Sequence, residues 1–408
     1  MLTLDYTLSL LNLQEVIVKK VTTNDKSAVI DIEMPKKQHT CPHCCAETSY
    51  VHDYRNRLIK DIPAFGMKII LNYRQRRYVC PHCGKRFAEE HPFVPKYHRM
   101  TSRLVAHIFE KLRSEYSFTS VAGELNLSVS TIIRVFDFLA ISRPKKLPRV
   151  FAIDEFKGNT GKEKYQAIIT DPASKRVLDI LPCRSQAELI AYLKQWNTKE
   201  RKRVKYFVSD MWQPYSDIAS AFFKNSVQIV DRYHFIRQMV WAFEKVRKRI
   251  QKQYGKECRL LFKHSRKLLI KHENKLKDYE KEQVNAILSL SSEMLYAYIL
   301  KERFYKIMES NDRETAKKLM SDWILFAQNS KIPEYGECTK TLANWRTGIL
   351  NSFDVPYSNG FTEGCNNKIK VLKRNAYGYG NFERFRKRII RGNPSFCVNL
   401  KFDSKMMI

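Results

Sequence analysis

No stretch of about 18 apolar residues occurs in this 408-residue chain, which excludes a membrane-spanning helix of the usual length. The opening residues, Met1-Leu2-Thr3-Leu4-Asp5, lack the basic start of a secretion signal. Low-complexity tracts are missing, as is any internal repeat beyond one pair of cysteine turns. Acidic residues are scarce: 42 Asp and Glu stand against 73 Lys and Arg, for a formal net charge of +31. That deficit points to a polyanionic partner. DNA or RNA fits better than a membrane surface, because the charge runs the length of the chain with aromatics interleaved. A cytoplasmic protein with reduced cysteines is expected. Hydrophobic residues make up 44%, enough for real cores, and the length suits roughly two to four domains of about 100–200 residues.

Four of the ten cysteines form two matched turns. Cys41-Pro42-His43-Cys44 is followed by Cys80-Pro81-His82-Cys83-Gly84. The run Met67–Tyr73 between them alternates and reads as strand. Two Cys-x2-Cys turns joined by strands can present four thiolates as a tetrahedron, the arrangement that suits one structural Zn²⁺. The remaining cysteines, Cys45, Cys183, Cys258, Cys338, Cys365 and Cys397, read as inert thiols. Arg74, Arg76, Arg77 and Arg86 lie nearby, and Arg77 is a candidate phosphate contact. Residues 1–40 combine a helix-like start with the alternating run Ser27–Glu33.

Residues 101–140 read as three helices. Leu104, Val105, Ile108, Phe109 and Leu112 recur at helical spacing. Phe118–Leu125 is a short helix, Asn126-Leu127-Ser128 a turn, and Val129–Leu139 a helix capped by Ser128. This is the helix-turn-helix pattern, with Ser130, Thr131 and Arg134 facing the major groove. A basic, proline-punctuated linker, Arg143–Arg149, follows.

From Val150 the pattern changes. Val150–Phe156, Tyr165–Thr170 and Arg176–Leu181 read as strands, with turns at Gly158–Gly161 and Asp171–Ser174. Then come a helix (Ser185–Trp196), a strand (Val204–Val208), a helix (Pro214–Phe223) and a strand (Val227–Asp231). Three strands, then helix–strand–helix–strand, is the order of an RNase H-like α/β core. From Tyr233 to about Trp345 the chain reads as helical; residues 241–280 carry 13 Lys and Arg against 5 acids. Ser358–Lys373 is a polar helix, and residues 364–391 hold 9 Lys and Arg against one acid. Trp212 and Trp345 read as core or stacking residues.

Three carboxylates stand out in so basic a chain. Asp154 and Asp210 each end an apolar strand-like run, and Glu363 sits in the last polar helix. Acids held at strand ends suit two divalent cations beside a phosphate. Mg²⁺ prefers oxygen ligands and keeps several waters, so a few converging carboxylates suffice. Glu155, next along the strand, alternates to the other sheet face and reads as structural.

The cysteine pairs, the helix-turn-helix, Phe151–Phe156, Val208–Tyr215, Asp231-Arg232-Tyr233-His234 and Glu363–Lys370 together resemble insertion-sequence transposases of the ISL-three family, within the DDE superfamily. The resemblance covers nearly the whole chain. It implies an α/β multidomain protein: a zinc ribbon, a helix-turn-helix, and an RNase H-like (retroviral-integrase-like) core with an all-helical insertion. It implies boundaries at 1–95 (ribbon module), 96–142 (helix-turn-helix), 143–149 (linker), 150–238 (first part of the core), 239–350 (insertion) and 351–408 (last acid and basic tail). Asp154, Asp210 and Glu363 match the three catalytic acids that hold two Mg²⁺, for which Mn²⁺ can substitute. His234 matches an Asp-x2-His signature near the site. Lys368 and Lys370 are expected on DNA.

The implied function is Mg²⁺-dependent transposition: binding of double-stranded terminal repeats, cleavage to a 3′-hydroxyl, and joining of that hydroxyl to target DNA by a nucleoid-associated homodimer or larger assembly. Two other readings stay open on the residues alone. One is a DNA-binding regulator without catalysis. The other is an RNase H-like nuclease without strand transfer.

Overall fold

The computed structural model describes residue 13 and residues 16–95, 98–141, 144–161 and 163–392. The helix-like start, the end of the basic tail and Cys397 lie outside them. The chain divides into two compact units. One gathers the described residues of 1–142 with 370–379 and those of 383–408; the other gathers those of 143–369 with 380–382.

Among its described residues the first unit opens with seven strands: β1 (Ile17–Thr23), β2 (Ser27–Glu33), β3 (His39–Thr40), β4 (Glu47–Thr48), β5 (Val51–Lys60), β6 (Lys68–Val79) and β7 (Arg86–Ala88). One sheet runs β1-β2-β6-β5, with β7 paired to β6; β3 and β4 form a separate ribbon. The alternation in β2 and β6 buries Ala28, Ile30, Ile32, Ile69, Leu71 and Tyr73 on one face, as a one-sided core demands. The expected strand at 67–73 is the first half of the longer β6. Arg74, Arg76 and Arg77 therefore stand on a strand, where Arg76 is buried between Glu33 and Glu89.

Three helices follow, Ser102–Arg113, Phe118–Glu124 and Val129–Asp137. Thr101, Ser117 and Ser128 each cap one by accepting a backbone N–H. Asn126 takes a positive φ of 52° in the turn, a conformation asparagine tolerates. Their apolar faces meet around Ile108, Leu112, Val121, Ile132 and Phe136. The Phe382–Arg391 helix packs on these three. Arg388 is buried and donates to the carbonyls of Leu112, Ser114 and Tyr116, which satisfies groups left open at a helix end. Arg384 pairs with Asp137.

The second unit is built on β8 (Val150–Thr160), β9 (Glu163–Asp171), β10 (Arg176–Leu181), β11 (Tyr206–Ser209) and β12 (Val227–Val230), in the order β10-β9-β8-β11-β12. The first three strands are antiparallel; β8, β11 and β12 run parallel. Helices Gln186–Lys194 and Gln213–Phe222 cover one face through Leu189, Leu193, Tyr215 and Ile218. The expected turn at Gly158–Gly161 is shorter than its glycines imply. β8 continues to Thr160, with a register break between Lys157 and Thr160. Gly158 lies inside the strand because the Gln166 side chain presses on it: a Cβ there would sit 1.6 Å from Gln166 Oε1. Its glycine serves close approach rather than a bend.

Helices from Arg232–Gln251 to Arg346–Asp354 pack around Phe243, Phe304, Trp323 and Tyr335. Trp345 packs against this cluster. The helix Gly360–Asn375 follows.

Candidate active site and cysteine cluster

The parallel strands place three aspartates side by side. Ala152 pairs with Val208, so Asp154, two residues on, stands beside Asp210 at the end of β11. Ser209 pairs with Val230, which brings Asp231 to the other side of Asp210. Neighbouring strands lie about 4.8 Å apart, and the carboxyl ends of such strands are where α/β sheets bind ligands. Asp154 and Asp231 are 7% and 3% exposed.

The Gly360–Asn375 helix brings Glu363 to this edge through its own polar face. The Asn359 backbone N–H donates to Asp231 Oδ1 at 2.9 Å, and its side chain donates to the Ile153 carbonyl. Thr362 bonds Thr170 at 2.8 Å. Asn366 Nδ2 donates to Asp154 Oδ2 at 2.9 Å and to the Glu155 carbonyl at 3.4 Å. Residues 359, 362, 363 and 366 share a helix face by their spacing, so docking three of them fixes the fourth. Ligand atoms of Glu363, Asp231 and His234 all lie within 4.8 Å of one another.

Electrostatics mark the cluster as one unit. Burial first, then the charges of Asp210, Glu155 and Asp231, push the Asp154 carboxyl up to about 7; the Glu155 backbone N–H pulls the other way. Burial and then the Glu155 charge push Asp210 up to about 6, against Arg237 and Arg184. Asp210 Oδ1 and Asp231 Oδ2 are buried with no hydrogen-bond partner among the described residues. Crowded, partly orphaned oxygens of this kind suit a hard cation with oxygen preference. Burial holds His234 below the usual imidazole range, so it is neutral at pH 7. Its Nδ1 lies 3.1 Å from Arg237 Nη2. A guanidinium only donates, so Nδ1 accepts and the ring proton sits on Nε2.

Glu155, next along the strand, pairs with Arg184, and its charge is felt at Asp154, Asp210 and His234. Sequence reasoning passed over Asn359, Asn366 and Arg237. The i, i+4, i+7 spacing of Asn359, Glu363 and Asn366 was the available signal.

The cysteine cluster is local. Cys41 Sγ lies 3.6 Å from Cys83 Sγ, and Cys44 Sγ lies 3.5 Å from Cys80 Sγ; all four sulfurs fall within 4.8 Å of one another. Four thiolates around Zn²⁺ at ~2.3 Å stand roughly 3.8 Å apart, so the residues fit that ion. The two turns are copies. Cys45 N–H bonds the Cys41 carbonyl and Gly84 N–H that of Cys80, at 3.0 and 2.9 Å. Cys45 and Gly84 both take positive φ, 60° and 67°. In the first turn the backbone N–H groups of Cys44 and His43 draw the Cys41 thiol down to about 6.

The remaining candidates are not members of either cluster. Ser130 and Arg134 are exposed on the Val129–Asp137 helix, and Arg134 has no side-chain partner among the described residues. Thr131 bonds the capping Ser128. Arg77 is paired with Asp53 at 2.9 Å, which leaves it less available to phosphate than its position suggested. Lys368 and Lys370 are exposed. No helix among the described residues is long and apolar enough to cross a membrane.

Known families match along the chain. A family model described as transposase, of the ISL3 (ISL-three) DDE type, matches residues 151–389. A helix-turn-helix domain of transposase family ISL3 matches 89–140. The zinc-finger of transposases IS204, IS1001, IS1096 and IS1165 matches 37–83. The transposase for insertion sequence element IS1001 of Bordetella parapertussis is 26% identical over 353 residues, 85% of this chain and 86% of that protein. The transposase for IS1557 of Mycobacterium tuberculosis is 21% identical over 239 residues, 53% of this chain and 54% of its own. A protein of Lactococcus lactis subsp. lactis named ATP-dependent protease is 33% identical over 112 residues, 27% of this chain and 34% of its own.

Proposed function

This chain belongs to the ISL3 family of transposases, and we propose that it cuts DNA at the ends of its own insertion sequence and joins the freed 3′-hydroxyl to target DNA. One observation supports this above others: Asp154 within β8 stands level with Asp210 and Asp231, which follow the ends of β11 and β12, and Glu363 lies beside Asp231. The strand order β10-β9-β8-β11-β12 supports reading residues 150–238 as the first part of an RNase H-like core, 239–350 as its helical insertion, and 351–408 as the return with the last acid.

In this reading Asp154, Asp210 and Glu363 hold two Mg²⁺, with Mn²⁺ able to substitute. When bound, the ions supply activation of an attacking oxygen and neutralisation of a leaving one. The chain's own residues do the rest. Asn366 fixes Asp154, and Asn359 fixes Asp231. Neutral His234 holds a donor proton on Nε2 toward the acid cluster. Arg237 and Arg184 offset charge at Asp210. The zinc ribbon (within 1–95), the helix-turn-helix (96–142) and the linker (143–149) bring the DNA. Ser130, Thr131 and Arg134 face the major groove, while Lys368 and Lys370 follow the backbone; Arg77 joins them only by giving up its pair with Asp53. Two ends must be held at once, so the working form is a dimer or larger on nucleoid DNA in the cytoplasm.

The test is incubation of the purified chain with duplex carrying the element's terminal DNA and target plasmid, with Mg²⁺ or Mn²⁺, followed by sequencing of products. Cuts at the terminus and joined products are expected. Binding without cutting in either metal overturns the catalytic reading in favour of a regulator. Cutting without joining reduces it to a nuclease.

A further inference from the structure

The Arg232–Gln251 helix starts at Asp231, inside the acid cluster, and has two contrasting faces. One buries Phe235, Met239, Ala242, Phe243 and Val246. The other carries Tyr233, Arg237 and Trp241, each four residues from the next and so stacked turn upon turn. Tyr233 is 54% exposed and Trp241 50%. The Arg237 guanidinium lies between them, 5.5 Å from the Tyr233 ring centre and 4.7 Å from that of Trp241.

Arg237 is short of partners. It bonds His234, its Nε has no acceptor, and it forms no ion pair among the described residues. Its charge nevertheless reaches Asp210, so the ladder begins at the site and leads away from it. Large rings left half in water beside an unneutralised cation make a surface awaiting something flat and anionic. A nucleotide offers both: a base with a π face and a phosphate. Bases in an intact duplex present no free face, so a base stacked here has left its pair.

We propose that Tyr233, Arg237 and Trp241 clamp one unpaired nucleotide adjoining the scissile phosphate, with its base stacked on Trp241 and its phosphate beside Arg237. The clamp rests on reading the acid cluster as the site of phosphodiester cleavage. It adds what that reading leaves out: local opening of the duplex as part of end recognition.

The experiment uses the full chain and duplexes of the element's terminus with 2-aminopurine placed in turn at each nucleotide flanking the scissile bond. Fluorescence is read in the metal-free complex, where no cutting occurs. One position should respond strongly in the wild type. That response should fall several-fold in Trp241→Ala and be largely kept in Trp241→Phe, which preserves a ring. Response at no position, or an equal response in Trp241→Ala, overturns the clamp. With Mg²⁺ added, Trp241→Ala should cut roughly ten- to a hundredfold more slowly. An abasic nucleotide at the responding position should make the two proteins equal; a deficit that persists there means that Trp241 acts by packing and also overturns the proposal. A wild-type complex that responds but never cuts would remove the cleavage reading and leave the clamp standing.

Discussion

The four cysteines lie within 42 residues of one another and come from two copies of one turn, whereas the acids come from three adjacent strands and a helix on the far side of a long insertion. In the cysteine cluster, backbone N–H groups already point at sulfur, and burial of Cys41 and Cys80 shields half the set. In the acid cluster, buried carboxylates repel one another, and two of their oxygens have no partner among the described residues. A locally built site needs only correct turns and contributes to its module's stability when loaded. A site assembled by topology is held against its own repulsion, and the rest of the fold offsets that cost.

The largest expected effect lies on the local side. Structural zinc in small modules contributes on the order of 10 kcal/mol, more than such a module can lose and stay folded. Cys41→Ser or Cys80→Ser should therefore release zinc, measured by elemental analysis, and speed hydrogen exchange across residues 37–88. Exchange across 150–369 should stay as it was. Full zinc retention, or equal loosening of both regions, would break the contrast between a local and an assembled site.

Next comes chemistry at the assembled site. Asp154→Asn, Asp210→Asn or Glu363→Gln should each slow end cleavage by about a thousandfold or more, since in the proposed chemistry each removes charge from an ion site worth several kcal/mol in the transition state. DNA-end binding, measured by gel shift, should persist. A variant that still cuts at the wild-type rate takes its residue out of the site.

The two clusters also differed in how far they could be read from the chain. Cys41, Cys44, Cys80 and Cys83 were legible because their spacing alone sets the geometry. The strands β8 to β12 were legible as apolar runs, and with them the acids within and after them. What escaped depended on contacts across the fold. Gly158 looked like a turn because nothing local shows that Gln166 lies over it. Glu155 alternates away from Asp154, yet its charge is felt at Asp154 and Asp210, which periodicity alone does not show. Asn359 and Asn366 belong to the site only because their helix docks on β8, a meeting that no window of sequence contains. The ring ladder on the Arg232–Gln251 helix needed exposure values before it differed from any amphipathic face.

Stability against pH should separate the two kinds of site again. The Asp154 carboxyl titrates near 3.8 when unfolded and at about 7 when folded. Above pH 7 it is ionised in both states, and the fold bears the whole cost of a buried, crowded charge. As pH falls from 7 toward 4 the folded form takes up a proton that the unfolded form does not, so the chain gains stability; below 4 no further gain remains. Asp154→Asn should therefore stabilise the metal-free chain at pH 8 by up to on the order of 4 kcal/mol, and by little at pH 4. Urea unfolding at both pH values measures it. A variant less stable than the wild type at pH 8 would mean that the carboxylate is not under strain.

The smallest expected effect tests whether docking of the last helix is what makes the assembled site work. Asn366 donates to Asp154 Oδ2 and to the Glu155 carbonyl, so it ties the helix that carries Glu363 to the strand that carries Asp154. It touches no reacting atom in the proposed chemistry and acts by orienting a ligand. Loss of such outer partners usually weakens metal affinity or activity by about 10–100-fold. Asn366→Ala should raise the Mg²⁺ concentration for half-maximal cleavage by about that factor, with DNA affinity unchanged, because the carboxylates remain but Asp154 swings more freely. Asn366→Asp removes the donor and adds a charge to an already crowded cluster, so its deficit should be deeper and should narrow at lower pH. A merely structural asparagine would lower stability in both variants and leave the Mg²⁺ dependence where it was, which would place the precision of the site in the strands alone.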